Sequence, residues 1–273
     1  MTKFCPRVPF FGTQKREFTS KARQILFFNS LTRCRSRTLA MRFASFGIVL
    51  ALCFLFATGC SKGITRATAA TVFFVKGDVV FGNDERNQFQ PVTPKNRIRG
   101  GDTVRTSDGA AINLALFPGA FVQLSGNSEI KIDELKLTKD GNETAGGMVD
   151  RSARIRLNRG RISILFSRSN TSGSHLTVGT SQAMLTPDSD CLFSVWTDGT
   201  NTRATCGRGD VNAFADGQTP VKIGAGYFYQ WPTSKEPIAA TAEGGAQMDI
   251  LASLEAEKEL LDQAAGWQNR RVF

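Results

Sequence analysis

Histidine is nearly missing from this chain: only His175 carries an imidazole among 273 residues. A His-based metal site needs several such ligands, and a Ser-His-Asp set would have to use this one. No Gly-x-Ser-x-Gly elbow accompanies it. His175 lies between a Ser/Gly/Asn-rich stretch and a strand, so it reads as an exposed or hydrogen-bonded residue rather than a base. Cysteine is also scarce. Of six, Cys5, Cys34 and Cys53 precede Cys60, and only Cys60, Cys191 and Cys206 remain beyond, none with zinc-site spacing. Asp188 and Asp190 come nearest to a carboxylate cluster, and after Pro187 they read as turn residues. No Gly-rich phosphate loop opens a helix, and no pair of carboxylates is singled out for hydrolysis. The expectation is a chain without metal, cofactor or catalytic set.

An excess of charge of either sign is missing from the later part of the chain. Residues 1–59 hold 10 Lys and Arg against Glu17 alone, whereas residues 60–273 hold 24 against 23 acidic residues. Nine of the ten net positive charges therefore belong to the leader. A nucleic-acid binder carries its excess on the folded domain, so nucleic acid is not an expected partner. The roughly 210 residues after Cys60 suffice for one domain with its own core.

A long apolar run is lacking as well. Phe43 to Phe56 falls short of the roughly 20 residues that span a bilayer. It follows Met41-Arg42, and a charged start before a short apolar core is the pattern of a secretory signal. Met1 to Ala40, basic and without period, reads as an unstructured leader extension ahead of the true start. The apolar run ends in Ala57-Thr58-Gly59-Cys60. Small residues before a cysteine resemble the lipobox of bacterial lipoproteins, which implies cleavage after 41–59 and a lipid on Cys60. Ser61 is then the outer-membrane signal under the sorting rule of enteric-type bacteria. Residues 60–70 form a polar linker of at most ~35 Å. The expected location is the cell envelope, with the domain in the periplasm or at the surface.

Residues 71–231 are short apolar alternations broken by turns. Ile112, Leu114 and Leu116 alternate with Asn113 and Ala115; Pro118-Gly119 turns the chain; Val122 and Leu124 resume. A three-residue loop, Pro118 to Ala120, would set Leu116 against Val122 and Leu114 against Leu124. Asn83 to Arg99 and Thr138 to Ser152 read as loops. Ile130 and Ile132 are out of phase with Leu135 and Leu137, which a bulge near Asp133 would reconcile. Turn signals every 8–12 residues predict a mainly β domain, an antiparallel sandwich or roll of short strands, with coiled short strands equally open. Residues 232–245 are a linker. Over 246–268, Ile250, Leu251, Leu254, Leu261 and Ala265 recur at helical spacing, predicting one amphipathic C-terminal helix. Its apolar stripe is expected to dock on the β domain, near Tyr227, Tyr229 and Trp231.

Gly101-Asp102-x-Val104-Arg105-Thr106, Pro118-Gly119, Leu157-Asn158-Arg159-Gly160-Arg161-Ile162 and Gly207-Arg208-Gly209-Asp210-Val211 together resemble the FecR domain of bacterial envelope proteins. The resemblance covers roughly residues 71–231. It implies an all-β domain and names no activity. The family is associated with transmembrane signalling, in which a cytoplasmic segment controls a sigma factor; residues 1–40 show no helical domain of that kind.

Two site expectations remain. Tyr227, Tyr229 and Trp231 share one strand face by period two and could stack a sugar or a peptide, or else cover the core. Asp198-Gly199 signals a two-residue type I′ hairpin. In that register Thr197 opposes Thr200 and Cys191 opposes Cys206, at the ~4.5–5.5 Å Cα separation that a disulfide accepts. The functional expectation is a membrane-anchored, non-enzymatic binding or scaffolding module whose partner is an envelope protein or polysaccharide. A single-span signalling sensor is the alternative.

Overall fold

The longest strand explains the architecture. In the computed structural model, which describes residues 63–139, 148–168, 173–217 and 219–270, one strand runs from Met148 to Phe166 and serves two sheets. The chain divides into units 1–59 and 60–273, and all described residues belong to the second. The expected leader, signal segment and Cys60 lie outside the described residues.

Nine strands precede this long one: β1 (Ile64–Ala67), β2 (Ala69–Lys76), β3 (Val79–Asn83), β4 (Gln88–Pro91), β5 (Arg97–Arg99), β6 (Thr103–Thr106), β7 (Ala111–Phe117), β8 (Ala120–Leu124) and β9 (Glu129–Lys139). The long strand is β10. After it come β11 (Gly173–Gly179), β12 (Met184–Pro187), β13 (Cys191–Thr197), β14 (Thr202–Arg208), β15 (Asp210–Phe214), β16 (Val221–Gly224), β17 (Tyr227–Trp231) and β18 (Ile238–Ala239). A single helix, α1 (Gly244–Arg270), follows.

The first half of β10 lies between β9 and β11; its second half lies between β8 and β13. Sheet one runs β4, β3, β6, β9, β10, β11, β12, β15, β16, with β1 beside the far end of β9. Sheet two runs β5, β2, β7, β8, β10, β13, β14, β17, β18. Every pairing is antiparallel except β10 with β11. The switch between sheets falls at Gly160, where φ is +87° and a Cβ would lie 2.1 Å from Ser128 Oγ. Only glycine fits both conditions. Both sheets curl around one core, which includes Ile112, Leu114, Ile132, Ile155, Ile164 and Phe193.

Bulges correct several registers. The Pro118-Gly119 loop is two residues long, with Phe117 opposite Ala120. A bulge between Ala115 and Phe117 shifts the phase by one, so Leu114 meets Val122 and Ile112 meets Leu124. The apolar pairing survives, but two residues from the expected register. At Asp133 the extra residue does lie on β9, between Ile132 opposite Ile155 and Glu134 opposite Arg154. Residues 83–99 are not all loop. They hold β4 and β5, anchored by buried Val92 and Ile98. Met148 to Ser152, expected in a loop, begins β10, because β9 and β11 accept its backbone from both sides.

Candidate interaction surface

The outer faces of the two sheets differ. On sheet one that face carries ion pairs open to solvent. Arg156 meets Asp133 at 3.0 Å, Lys136 meets Glu134 at 2.9 Å, and Arg105 reaches both Asp84 at 2.6 Å and Glu129 at 2.9 Å. Partial burial raises the Glu129 carboxyl, but hydrogen bonds from Asn158 and Arg105 outweigh it and hold it below its usual range. A cleft of about 640 Å³ opens here between Arg154, Asn158, Thr177, Thr180 and Met184.

On sheet two the outer face is covered by α1. Three rows of side chains run across its strands. Arg161, Trp196 and Arg203 are direct cross-strand neighbours on β10, β13 and β14. The next row is polar and small: Asn113, Gln123, Ser163, Ser194 and Thr205, ending at Phe228. The third is apolar: Phe121, Leu165 and Leu192. Residues of β13 alternate between core and helix, which is why six of its seven are buried.

The helix lies over these rows through Ala246, Asp249, Ser253, Ala256, Leu260 and Ala264, all buried and spaced three or four apart. Small residues let it approach the hydroxyl row closely. Leu260 packs with Leu165 and Leu192. Ala246 meets Phe228 and Ala240. Gln123 Nε2 donates to Glu259 at 2.8 Å, Asn113 Nδ2 donates to Gln263 at 2.9 Å, and Arg208 pairs with Glu257 at 2.6 Å.

One buried carboxylate fixes the helix. The Asp249 side chain is 1% exposed and stands between two guanidinium groups: Arg161 Nη2 at 2.5 Å from Oδ1 and Arg203 Nε at 2.7 Å from Oδ2. Arg203 also donates through Nη1 to Glu243 at 2.9 Å and lies 5.4 Å over the Trp196 ring. Gly245 permits this approach, since a Cβ there would come within 2.8 Å of Arg203 Nη1. A carboxylate at this depth is tolerable only with such partners.

The helix thus docks by the face opposite to expectation. Ile250 is partly buried, but Leu251, Leu254 and Leu261 are 55%, 46% and 51% exposed, and Met248 is 61% exposed. It does not rest on Tyr229 or Trp231 either; it meets β17 through Phe228 on the reverse face. Tyr229 and Trp231 are buried in the core, their rings 4.6 Å apart, and only Tyr227, at the strand end, is exposed. The stacking platform of three aromatics is therefore not formed, because period two carries two of them inward.

The cysteine register is corrected too. The hairpin loop is Asp198 to Asn201, four residues, with Thr197 opposite Thr202. Asp198 Oδ1 accepts from the backbone N–H of Thr200 at 2.7 Å and of Asn201 at 2.6 Å, which fixes the longer loop. Cys206 then faces Phe193, a bulge sets Arg208 against Leu192, and Cys191 and Cys206 are free buried thiols. Burial pushes the Cys191 thiol far up and the Cys206 thiol up to about 11. His175 is exposed, 3.5 Å from Asp150. Asp190 accepts from the Arg168 backbone N–H at 2.6 Å and Asp188 lies 3.5 Å from Lys222, so both serve local structure. Among the described residues no group of three metal-type ligands gathers, and no helix is long and apolar enough to cross a membrane.

No family model matches the chain, and no curated protein does. Two crystal structures from Parabacteroides distasonis ATCC 8503, each described as a "putative anti-sigma factor", share part of its shape. One, at 2.50 Å resolution, is 12% identical over 50% of this chain and 57% of its own, with a TM-score of 0.35. The other, at 1.65 Å, is 14% identical over 52% and 65%, with a TM-score of 0.36. The match spans less than two thirds of either protein. A likeness this coarse transfers neither function nor partner.

Proposed function

We propose that this chain is an envelope lipoprotein whose FecR-like β domain works as a non-enzymatic binding or scaffolding module. One observation carries the reading. The β domain sets Arg203 and the partly exposed Arg161 about the buried Asp249 of α1, yet the helix turns Leu251, Leu254 and Leu261 away from the domain. A helix kept only to close the core would face the other way round. The fixed position of an apolar face on a rigid scaffold suits recognition.

The anchor rests on the sequence Met41-Arg42, Phe43 to Phe56, then Ala57-Thr58-Gly59-Cys60. Acyl chains on Cys60 would hold the domain close to the membrane, since β1 begins at Ile64, four residues on, a reach of at most ~14 Å. Fatty-acid labelling of cells expressing the wild type and Cys60→Ser tests this. Label in the wild type and none in Cys60→Ser is the expected result, with an intact mass that begins at an acylated Cys60. Equal label in both, or a mature chain that keeps Phe43 to Phe56, would favour the single-span sensor instead.

A further inference from the structure

The outward face of α1 has the repeat of a helix–helix seam. Leu251, Leu254, Lys258, Leu261 and Ala265 follow one another at steps of three, four, three and four, the a/d pattern by which two helices interlock. All five are exposed. One edge of the seam is formed by Met248, Glu255 and Asp262, also exposed and seven residues apart. The other edge, Ile250, Glu257 and Ala264, turns toward sheet two. The stripe is therefore an apolar seam with one cation in its centre and one free, acidic flank.

That charge pattern selects among occupants. In a parallel pair of two copies, Lys258 would face Lys258 within the apolar seam. In an antiparallel pair, the flank of Glu255 and Asp262 would face the same acidic flank. Like charges at these positions oppose pairing. An anionic lipid surface attracts helices whose polar face is rich in Lys and Arg, and this flank is acidic. We infer that the Leu251–Leu261 seam is the docking site for a helix of a partner protein, apolar along its own seam, acidic opposite Lys258 and basic opposite Glu255 and Asp262. From Leu251 to Ala265 the seam extends about 21 Å, so two heptads of partner helix fill it. This deepens the binding-module reading and rests on it.

The probe is a fluorescent 21-residue helical peptide with leucine at its seam positions, glutamate at the central one and lysine on its flanks. Its control has glutamate on the flanks. Each is titrated into the purified full chain and followed by anisotropy. The basic peptide should bind saturably, at least ten times more tightly than the control. Leu254→Ala with Leu261→Ala should weaken it at least tenfold while the thermal melt stays in place, because neither leucine is in the core. Equal affinity for both peptides, or an unchanged affinity in the double variant, overturns the proposal. A concentration-dependent dimer lost in Leu254→Glu assigns the seam to a second copy instead. Co-sedimentation of Cys60→Ser with phosphatidylglycerol vesicles, lost in Leu254→Glu, assigns it to lipid. Binding that appears only once residues 1–40 are removed assigns it to that basic segment. Peptide affinity is also read in Cys60→Ser, so failure of the anchor and failure of the seam are separate outcomes.

Discussion

Arginine–aspartate pairs occur on the outer faces of both sheets, and they do different work. Arg156 and Asp133 on sheet one are 56% and 20% exposed, and water competes for both. On sheet two, Arg203 and the Asp249 carboxylate that α1 brings to it are 11% and 1% exposed, while Arg161 on the other side of that carboxylate is 30% exposed. An exposed pair contributes roughly 0–1 kcal/mol. A buried one has lost its hydration, so its parts depend on one another. The same residue types thus decorate one face and specify the position of a helix on the other.

The largest effect should follow from removing the buried carboxylate that Arg203 and Arg161 share. Asp249→Ala should destabilise the protein by about 3–5 kcal/mol in urea unfolding. Replacing the whole set, as Asp249→Leu with Arg161→Met and Arg203→Leu, should recover most of that loss, since apolar side chains carry no desolvation cost. If single and triple variants were equally unstable, the electrostatic account of this face would be wrong.

Next in size is the apolar contact beside that set. Leu260→Ala removes a fully buried side chain from between Leu165 and Leu192 and should cost about 3 kcal/mol. Leu261→Ala, one residue along and half exposed, should cost under about 0.5 kcal/mol. The contrast between neighbours checks which face of the helix is docked. On sheet one, Arg156→Ala should change stability by less than about 1 kcal/mol, and that change should vanish in about 1 M salt.

The smallest effect concerns Asp198, at the exposed tip of the β13–β14 hairpin. Hydrogen bonds from Asn201 and Thr200 hold its carboxyl well below its ordinary value of 3.8. The charged form therefore favours the folded state. Its contribution is complete above the ordinary carboxylate range and fades as pH falls below it. Between about pH 5 and about pH 2, the wild type should lose slightly more melting temperature than Asp198→Asn. Equal losses would mean that the loop does not depend on this carboxylate.

Much of this was legible in the sequence, and the limits have physical causes. Period two and turn residues identify most strands, and period 3.6 identifies α1. Periodicity says which residues share a face, however, and not which face is buried. Leu251, Leu254 and Leu261 looked like the docking stripe, whereas the small residues Ala246, Ser253 and Ala256 are the ones buried against sheet two. Registers failed at Leu116, where a bulge leaves no composition signal, and at the Cys191–Cys206 hairpin, where hydrogen bonds to Asp198 hold a four-residue loop in place of a two-residue one. The row Arg161–Trp196–Arg203 draws on three strands, and Asp249 looks in sequence like any helix acid. One clue was present: an acid within an otherwise small-residue stripe, 246, 249, 253 and 256, is out of place on a surface helix.

The strand shared by both sheets also sets an order of events. A chain that emerges from its N-terminus presents β8 and β9 first, and each lacks a neighbour until residues 148–166 appear. Those residues in turn wait for β11 on one side and β13 on the other. Neither sheet can be finished early and stored. α1, which follows these strands in the chain, closes over the arginines only when β10, β13 and β14 are already side by side. Docking of the helix therefore reports, within the newly made chain, that β10, β13 and β14 have come together.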